Sequence, residues 1–492
     1  MLNRELVFIS PYGVKENFRE ATRMVFGEVF ERFVRACPAC VMHRALMENI
    51  FAPAKVDAIF HQAAVAQYER ELLFSTLVDL VGQVVCRSSK SVHAAYVRQR
   101  ERISVSVRAL YDKLSHVEIG TSRALVQHAA RHVSELIDRC KGRRRPLLNG
   151  YRTRILDGNH LGKTQHRLGV LRGTAAGALP GQTLVLLDPE RMVIDEVIPC
   201  EDGHAQERSL LDQVGPIIQR RDLVIDDRNF CTLAFLFLIK RRKACFITRL
   251  HGRMPWKPIG KLRSMGRCET GRVFEQIIEI CEPGTGEITH IRCITVRLNT
   301  PTRDGDWEIH LLTNLPASKV SAIKVAELYR KRWSLEQAFN ELTTHLRCEL
   351  NTLGYPKAAL FAFCVAVCSY NLLAAVKGAL RGIHGEETLE TKVSNFFLTD
   401  EINSTYHGMM VALPPQEWSG FQTMRAKDLA AQIRCWARTA DLDNYPKHTR
   451  GPKKPKPKRP NAKFQHVATA KLLDERQQKI RRKRRKPKSQ SP

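Results

Sequence analysis

The chain has 492 residues, 43% of them apolar, and its 79 lysine and arginine residues outnumber its 50 acidic ones to give a formal net charge of +29. This length exceeds a single hydrophobic core, and the apolar content excludes a wholly disordered protein. The charge predicts a polyanionic partner, with nucleic acid ahead of an anionic membrane surface.

Residues 1–148 have the apolar spacing of helices, in long runs such as YERELLFSTLVDLVGQVV, with few strand signals. This pattern predicts an all-α N-terminal region. Within it, residues 103–133 are typical of two amphipathic helices around a short polar turn at 116–121. Such a pair is compatible with a DNA-binding helix-turn-helix and equally with plain scaffold.

The fourteen cysteines do not predict a disulfide framework, because the N-terminus MLNRELVFIS lacks the basic and then apolar order of a secretory signal. We expect reduced thiols in the cytosol. Cys37 and Cys40 form a C-x-x-C pair with His43 nearby, but no second pair lies at zinc-site spacing. Buried structural thiols are therefore the favoured interpretation.

From residue 149 the pattern changes to short β-rich runs, with helix-compatible segments before the fourth and fifth runs: RTRILDGNH, TLVLLDP, RMVIDEVIP, DLVIDDRNF and ACFITRL. Residues 149–250 are thus predicted to form an α/β unit with mixed strands. Residues 251–318 have Gly/Pro turns and strand-like pieces without clear helices, which indicates a β-rich insertion. Helices resume over 319–395, and 396–445 gives no clear signal.

Two further segments bear on the protein's surroundings. Residues 358–376 run for nineteen positions without a charge, but Ser369, Tyr370 and Asn371 interrupt them, so a helix buried in a protein core is favoured over a membrane span. Residues 446–492 hold 18 basic residues against two acidic ones. They are expected to form a basic arm that stays disordered until it meets an anion; the alternative is a solubilising tail.

Two predicted strands end on carboxylates, Asp157 in ILD and Asp226 with Asp227 in LVIDD. Sites of α/β proteins assemble at the carboxyl ends of strands. Alternation along the strand puts Asp227 on the face of Leu223 and Ile225, and Asp226 on the other face. Either aspartate alone is equally typical of a loop acid that caps the next helix.

The stretch LYRKRWSLEQAFNELTTHLRCEL, residues 328–350, is predicted to be one helix, because it lacks Gly and Pro and its apolar residues recur at three and four. Tyr329, Arg332 and Glu336 then lie within about 60° of one another around the axis. The helix would pack one face on the sheet and present an edge that carries an aromatic, a base and an acid.

Three carboxylates brought together would repel one another and raise each other's pKa values. Divalent cations that prefer oxygen ligands, Mg²⁺ or Mn²⁺, remove this conflict, and a pair of them about 3.5 to 4 Å apart is suited to in-line phosphoryl displacement. Tyr329 and Arg332 beside Glu336 are then candidate ligands of a DNA phosphate. The residues predict a two-metal phosphoryl-transfer site.

These residues resemble the DDE transposases of bacterial insertion sequences, of the insertion-sequence-four type. The family signature Tyr-x2-Arg-x3-Glu-x6-Lys is met by Tyr329, Arg332 and Glu336, and the family aspartates match Asp157 in LDGN and Asp227 in DDRNF. The resemblance covers about 149–376. It implies a ribonuclease-H-like mixed sheet interrupted by a β-rich insertion, as the composition of 251–318 independently suggests.

The resemblance also implies a function: recognition of terminal inverted repeats, metal-dependent strand cleavage, and transfer of the freed 3′-hydroxyl to target DNA by a protein homodimer. Such a protein would work in the bacterial cytoplasm, on the nucleoid, without a membrane or a small-molecule substrate. A flipped base in that family can stack on a tryptophan of the insertion. Trp307 lies near that position, although a core tryptophan is an equally good interpretation.

One position departs from the family pattern, since the signature lysine is replaced by Thr343. Arg347 is predicted to stand in for it, because it lies 18 residues, or five helical turns, after Tyr329. Two alternatives stay open. The chain could be a decayed transposase that only binds DNA, which Thr343 favours, or a ribonuclease-H-like nuclease or junction resolvase that cuts DNA without joining it.

Overall fold

The computed structural model of the chain describes residues 26–162, 180–302, 305–350, 352–448 and 469–485. They form a mixed α/β architecture, in which a sheet carries helices on both faces and most helices come from the two ends of the chain. The strands are β1 (Arg152–Leu161), β2 (Gly181–Asp188), β3 (Val193–Cys200), β4 (Asp222–Asp226), β5 (Cys245–Arg249), β6 (Lys257–Pro258), β7 (Arg263–Cys268), β8 (Gly271–Cys281), β9 (Ile288–Leu298) and β10 (Glu308–Thr313).

The helices up to the first strand are α1 (Glu28–Ala36), α2 (Pro38–Ile50), α3 (Pro53–Ala63), α4 (Phe74–Val85), α5 (Val92–Arg98), α6 (Val107–His116) and α7 (Ile119–Arg139). The later helices are α8 (Leu211–Val214), α9 (Leu233–Arg241), α10 (Ala322–Arg330), α11 (Trp333–Thr344), α12 (Pro356–His384), α13 (Glu386–Lys392), α14 (Asn395–Ala412), α15 (Gln416–Gln422), α16 (Ala426–Thr439) and α17 (Thr469–Arg485).

The first five strands lie in the order β3-β2-β1-β4-β5. β2 is antiparallel to both β1 and β3, whereas β4 is parallel to β1 and β5 is parallel to β4. This is the mixed sheet of a ribonuclease-H-like core. Its strands are built from apolar runs that are buried on both faces, as in β2, where every residue is buried.

The predicted β-rich insertion is present and continues the same sheet. β10 pairs antiparallel with β5, and β9 and β8 follow it outward. Because β10 joins β5 directly, the insertion is an extension of the core sheet. The five predicted core strands are all observed, and the strand-like pieces of 251–318 form strands β6 to β10.

α12 is the central helix of the molecule. Within the described ranges it is the one helix long and apolar enough to cross a membrane, and the apolar window that meets this test is 100% buried inside the protein. Its neighbours include α7, α16, α4 and α2. The expectation of a core helix at 358–376 is thereby confirmed.

Helices from both ends of the chain share one core around α12, so the predicted all-α N-terminal region, which is observed as α1 to α7, packs against later helices of the chain. Phe30 of α1 packs against Trp418 of α15 and Trp436 of α16. The physical reason is that α12 is apolar on all sides and needs cover on all sides. Residues 396–445, which gave no signal, supply part of that cover.

The predicted helix pair over 103–133 is observed as α6 and α7, joined at Val117 and Glu118. However, α7 packs against α12 on one side and β3 on another, and its residues from 121 to 130 are all buried or half-buried. A helix covered in this way cannot enter a DNA groove. The scaffold interpretation is therefore favoured over DNA recognition.

The basic tail was expected to lack fixed structure, and this is wrong for residues 469–485, which form α17. That stretch has no Gly or Pro and is rich in Ala, Leu, Lys, Arg, Gln and Glu, which are strong helix formers. The rest of the expected arm, at 449–468 and 486–492, lies outside the described residues.

Candidate active site

The first two candidate carboxylates belong to neighbouring parallel strands. Ile155 of β1 is paired with Ile225 of β4, so Asp157 and Asp227 lie opposite each other two residues further on, where β4 ends. Ile155 and Ile225 both face the core that contains α11 and α12. Alternation therefore directs Asp157 and Asp227 to the side of the sheet where α11 lies.

Asp226 lies on the opposite face. It is 0% exposed and has Val224 on its side of β4, next to the core that contains α9. Burial raises the pKa of Asp226 well above its usual range, and the neighbouring Thr248 hydroxyl offsets this only in part. Asp226 thus lies in the core away from α11, and Asp227, which is half-buried, is the one that can reach α11.

The signature residues Tyr329, Arg332 and Glu336 lie on two helices and the turn between them, instead of on the single helix that was predicted. α10 ends at Arg330 and α11 begins at Trp333. In the turn between them, the Arg332 N–H donates to the Tyr329 carbonyl at 3.0 Å. This hydrogen bond joins residues i and i+3, as in a 3₁₀ turn, which is wound more tightly than an α-helix. Glu336 falls in the first turn of α11 and stays close to Arg332.

Arg332 joins the strand carboxylate to the helix carboxylate. Its guanidinium donates to Asp157 Oδ2 at 2.9 Å and to Glu336 Oε1 at 2.6 Å. The Arg332 side chain is only 12% exposed, whereas Glu336 is 48% exposed. One largely buried guanidinium therefore connects a carboxylate of β1 to a carboxylate of α11.

The electrostatics of the site are dominated by burial of like charges. Burial raises the pKa of Asp157 to about 6, the charge of Arg332 works against this, and the Asp227 and Glu207 carboxylates add to the rise. Burial likewise raises the pKa of Tyr329 above its usual range, and the Asp227 charge adds to that rise. Tyr329 is therefore a hydrogen-bond donor at neutral pH.

Residues 149–372 match the family model of the transposase DDE domain. This segment is similar to transposase DDE domains. The match includes Asp157, Asp227 and Glu336 in one unit. A search of curated protein sequences gave no match.

Among solved structures, the domain and its flanking helices can be overlaid on the cryo-EM structure of a piggyBac transposase synaptic complex with hairpin DNA. The overlay covers 86% of this chain and 88% of that chain, with 10% sequence identity and a TM-score of 0.38. Similarity at this level supports no conclusion about the chain.

The segment that matches the family model contains a further acid at this edge, which the sequence did not indicate. Glu207, in the connection between β3 and β4, lies so close to Gly158 that an added Cβ there would be 2.0 Å from its Oε1. Asn229 Nδ2 donates to its Oε2 at 3.4 Å, and His160 Nδ1 lies 3.9 Å from its Oε1. The glycine of LDGN was the available signal, since it leaves room for this carboxylate beside Asp157.

Arg249, at the end of β5, is a second residue that sequence reasoning missed. It forms an ion pair with Asp306 at 2.6 Å, and its charge lowers the pKa of Tyr329 while Asp227 raises it. Arg249 therefore extends the positive side of the candidate site toward the insertion. Its position in a strand run, without a motif around it, gave no signal.

Three other predicted residues lie within the matched segment, outside the group of acids around Arg332. Trp307 is 60% exposed, which removes the core interpretation and leaves base stacking as a prediction. Thr343 is exposed on α11 and donates to the Phe339 carbonyl at 2.8 Å. Arg347 does not lie five helical turns after Tyr329, as was predicted, because α11 ends at Thr344. Its guanidinium donates to the Lys90 carbonyl at 3.1 Å.

Within the ranges that the structure describes, no three His, Cys, Asp or Glu side chains stand close enough to hold a metal ion, and this includes Cys37 and Cys40, whose thiols are buried as expected. Asp157 and Asp227 are adjacent, but Arg332 lies between Asp157 and Glu336. The donor set nevertheless fits Mg²⁺ in kind, because the three acids offer oxygen ligands and the Arg332 guanidinium already bridges two of them, Asp157 and Glu336. The Asp227 carboxylate also adds to the rise in the pKa of Asp157, which is the conflict that a divalent cation would remove.

Proposed function

We propose that the chain is a DNA transposase of the insertion-sequence-four type, which binds terminal inverted repeats and catalyses metal-dependent strand cleavage and strand transfer. The observation that carries the proposal is the contact of one arginine, Arg332, with both Asp157 and Glu336. It brings the strand acid and the helix acid of the signature to one edge of the sheet, inside the segment that matches the transposase DDE domain.

Asp157, Asp227 and Glu336 would hold two Mg²⁺ or Mn²⁺ ions. When bound, such ions activate the attacking oxygen and stabilise the leaving oxygen of a phosphodiester. The chain's own residues position the strand: Arg332 has a planar fork suited to a phosphate, and Tyr329 keeps its proton and can donate to a second oxygen.

The proposed partners are transposon-end DNA, target DNA and a second copy of the chain. The formal charge of +29 supports binding to a polyanion. α17 supports a role for the tail, because it carries the basic run KIRRKRR on a single helix. Pairing of two transposon ends by a homodimer, a base-stacking Trp307, and action in a bacterial cytoplasm are parts of this proposal.

A DNA-binding relic is the second candidate, and the observation in its favour is Thr343. A lysine there would extend from the exposed face of α11, whereas the threonine hydroxyl is used by the Phe339 carbonyl of the same helix. The intact acidic set beside Arg332 favours the enzyme.

The test is incubation of the purified full chain and Mg²⁺ with a linear fragment that carries the DNA on both sides of the reading frame, together with a supercoiled target plasmid. A transposase cuts at defined positions and joins the freed ends to the plasmid. Cutting without joining indicates the nuclease, and binding without cutting indicates the relic.

A further inference from the structure

Arg332 lies between two of the proposed metal ligands. Its two terminal nitrogens hold Asp157 Oδ2 at 2.9 Å and Glu336 Oε1 at 2.6 Å. A Mg²⁺ ion held by these two carboxylates would lie about 2.0 to 2.1 Å from an oxygen of each, and therefore close to the guanidinium. Because two cations at the same pair of carboxylates repel each other, Arg332 in this position opposes the binding of a divalent ion.

The contact has features of one that can be given up. Glu336 is 48% exposed, and ion pairs with a solvent-exposed partner contribute little net free energy. Arg332 lies in the turn between α10 and α11 and not within either helix, so its side chain can turn without breaking helical hydrogen bonds. In addition, its Nε–H has no acceptor among the residues that the structure describes, which leaves a donor for another ligand.

We propose that Arg332 couples DNA binding to metal binding. Without DNA, the Arg332 fork pairs with Asp157 and Glu336 and opposes the entry of metal. With DNA, the fork turns to a backbone phosphate and releases both carboxylates. The proposal rests on the proposed function, and it makes Arg332 a positioning residue whose partner changes from carboxylate to phosphate.

Coupling of this kind is reciprocal. If DNA raises the affinity for metal by removing Arg332 from the carboxylates, then metal raises the affinity for DNA by the same factor. Between two sites the factor is typically about 5-fold to 150-fold. The chain would then assemble its metal site only on a DNA strand.

The competing explanation is that Arg332 only fastens α11 to β1. The two explanations predict opposite changes in metal affinity when Arg332 is replaced. If Arg332 is a fastener, its loss disorders Glu336 and weakens metal binding. If it occupies the place of the metal, its loss frees two carboxylates and strengthens metal binding.

The experiment is a titration of the full chain with Mn²⁺ alone, in which free Mn²⁺ is followed by electron paramagnetic resonance in the absence of DNA. Wild type is compared with Arg332→Gln, and with Arg330→Gln as the matched control. Arg330 lies two residues away and pairs with Glu269 at 2.6 Å on the protein surface. We expect Mn²⁺ affinity to rise about tenfold in Arg332→Gln and to stay unchanged in the control.

A second arm repeats the titration on a 30-base-pair duplex whose binding is verified and whose own Mn²⁺ uptake is subtracted. We expect the duplex to raise the Mn²⁺ affinity of wild type to about the level of Arg332→Gln, and to change that of the variant much less. Unchanged or weaker Mn²⁺ binding by the DNA-free variant would overturn the proposal, and so would a wild-type affinity that the bound duplex leaves unchanged.

Arg332→Lys covers the case in which the glutamine variant does not fold. One ammonium cannot hold two carboxylates as a planar fork does, so we expect an intermediate rise in Mn²⁺ affinity. An affinity equal to or below that of wild type counts against the proposal. None of these readouts depends on cleavage, so a chain that never cuts DNA would refute the proposed function and leave this result standing.

Discussion

Asp157→Asn should make the protein more stable while it abolishes cleavage. The pKa of Asp157 is raised from its usual 3.8 to about 6, mainly by burial. A rise of about two pH units corresponds to about 3 kcal/mol of unfavourable free energy for holding this carboxylate ionised at neutral pH. Asparagine has the shape of the protonated acid and avoids that cost.

The direction in which this stability gain changes with pH follows from proton linkage. The folded chain binds the Asp157 proton more tightly than the unfolded chain, so the contribution of Asp157 to stability falls as pH rises from about 4 to about 6. Above about pH 6 the full cost is present. The gain from Asp157→Asn should therefore be about 3 kcal/mol at pH 8 and should shrink toward zero near pH 4.

The assay is urea unfolding of both proteins in EDTA at several pH values, with the difference in unfolding free energy between them as the readout. Asp195→Asn is the control, because burial raises the pKa of Asp195 to about 6 as well, on β3 beside Arg154. It should show a similar pH-dependent gain and keep cleavage. An Asp157→Asn protein that is no more stable than wild type at pH 8 would refute the reasoning.

Further predictions follow from the same site and from the tail. Mn²⁺ affinity should fall below about pH 6 as Asp157 takes up a proton. A Mn²⁺ affinity that stays constant from pH 5 to 8 would count against Asp157 as a ligand. Asp227→Asn should abolish cleavage and Asp226→Asn should preserve it, and the reverse result in a gel assay would reverse the facing assignment. Thr343→Lys should raise the cleavage rate several-fold in the same assay if the signature lysine contacts phosphate; no gain would remove that role. Deletion of 446–492 should flatten the slope of log affinity against log salt, and an unchanged slope would mean that the tail does not touch DNA.

The strands, and the carboxylates at their ends, could be predicted from the sequence because they depend on local patterns. Runs such as TLVLLDP are apolar enough to be buried on both faces, and the motif LVIDD marks its own end. Alternation along β4 was sufficient to separate Asp226 from Asp227 by face, as the structure also has them. These inferences involve fewer than ten residues at a time.

The features that were missed depend on contacts between distant parts of the chain. The break between α10 and α11 has no Gly or Pro, and it arises where Arg332 reaches across to β1. Glu207 comes from a loop whose composition is ordinary, and only the fold brings it to Gly158. The shared core of the two chain ends likewise depends on α12, whose need for cover on all sides does not indicate which segments supply it.

The most direct test of the central claim is a side-by-side measurement of strand cleavage and DNA binding for Asp157→Asn, Asp227→Asn and Glu336→Gln on one end-bearing DNA fragment with Mg²⁺. The account predicts that each variant binds the fragment nearly as well as wild type and cuts it at least about a hundredfold more slowly, since each removes a metal ligand from a two-ion site. Cleavage at the wild-type rate by any one of the three would contradict it.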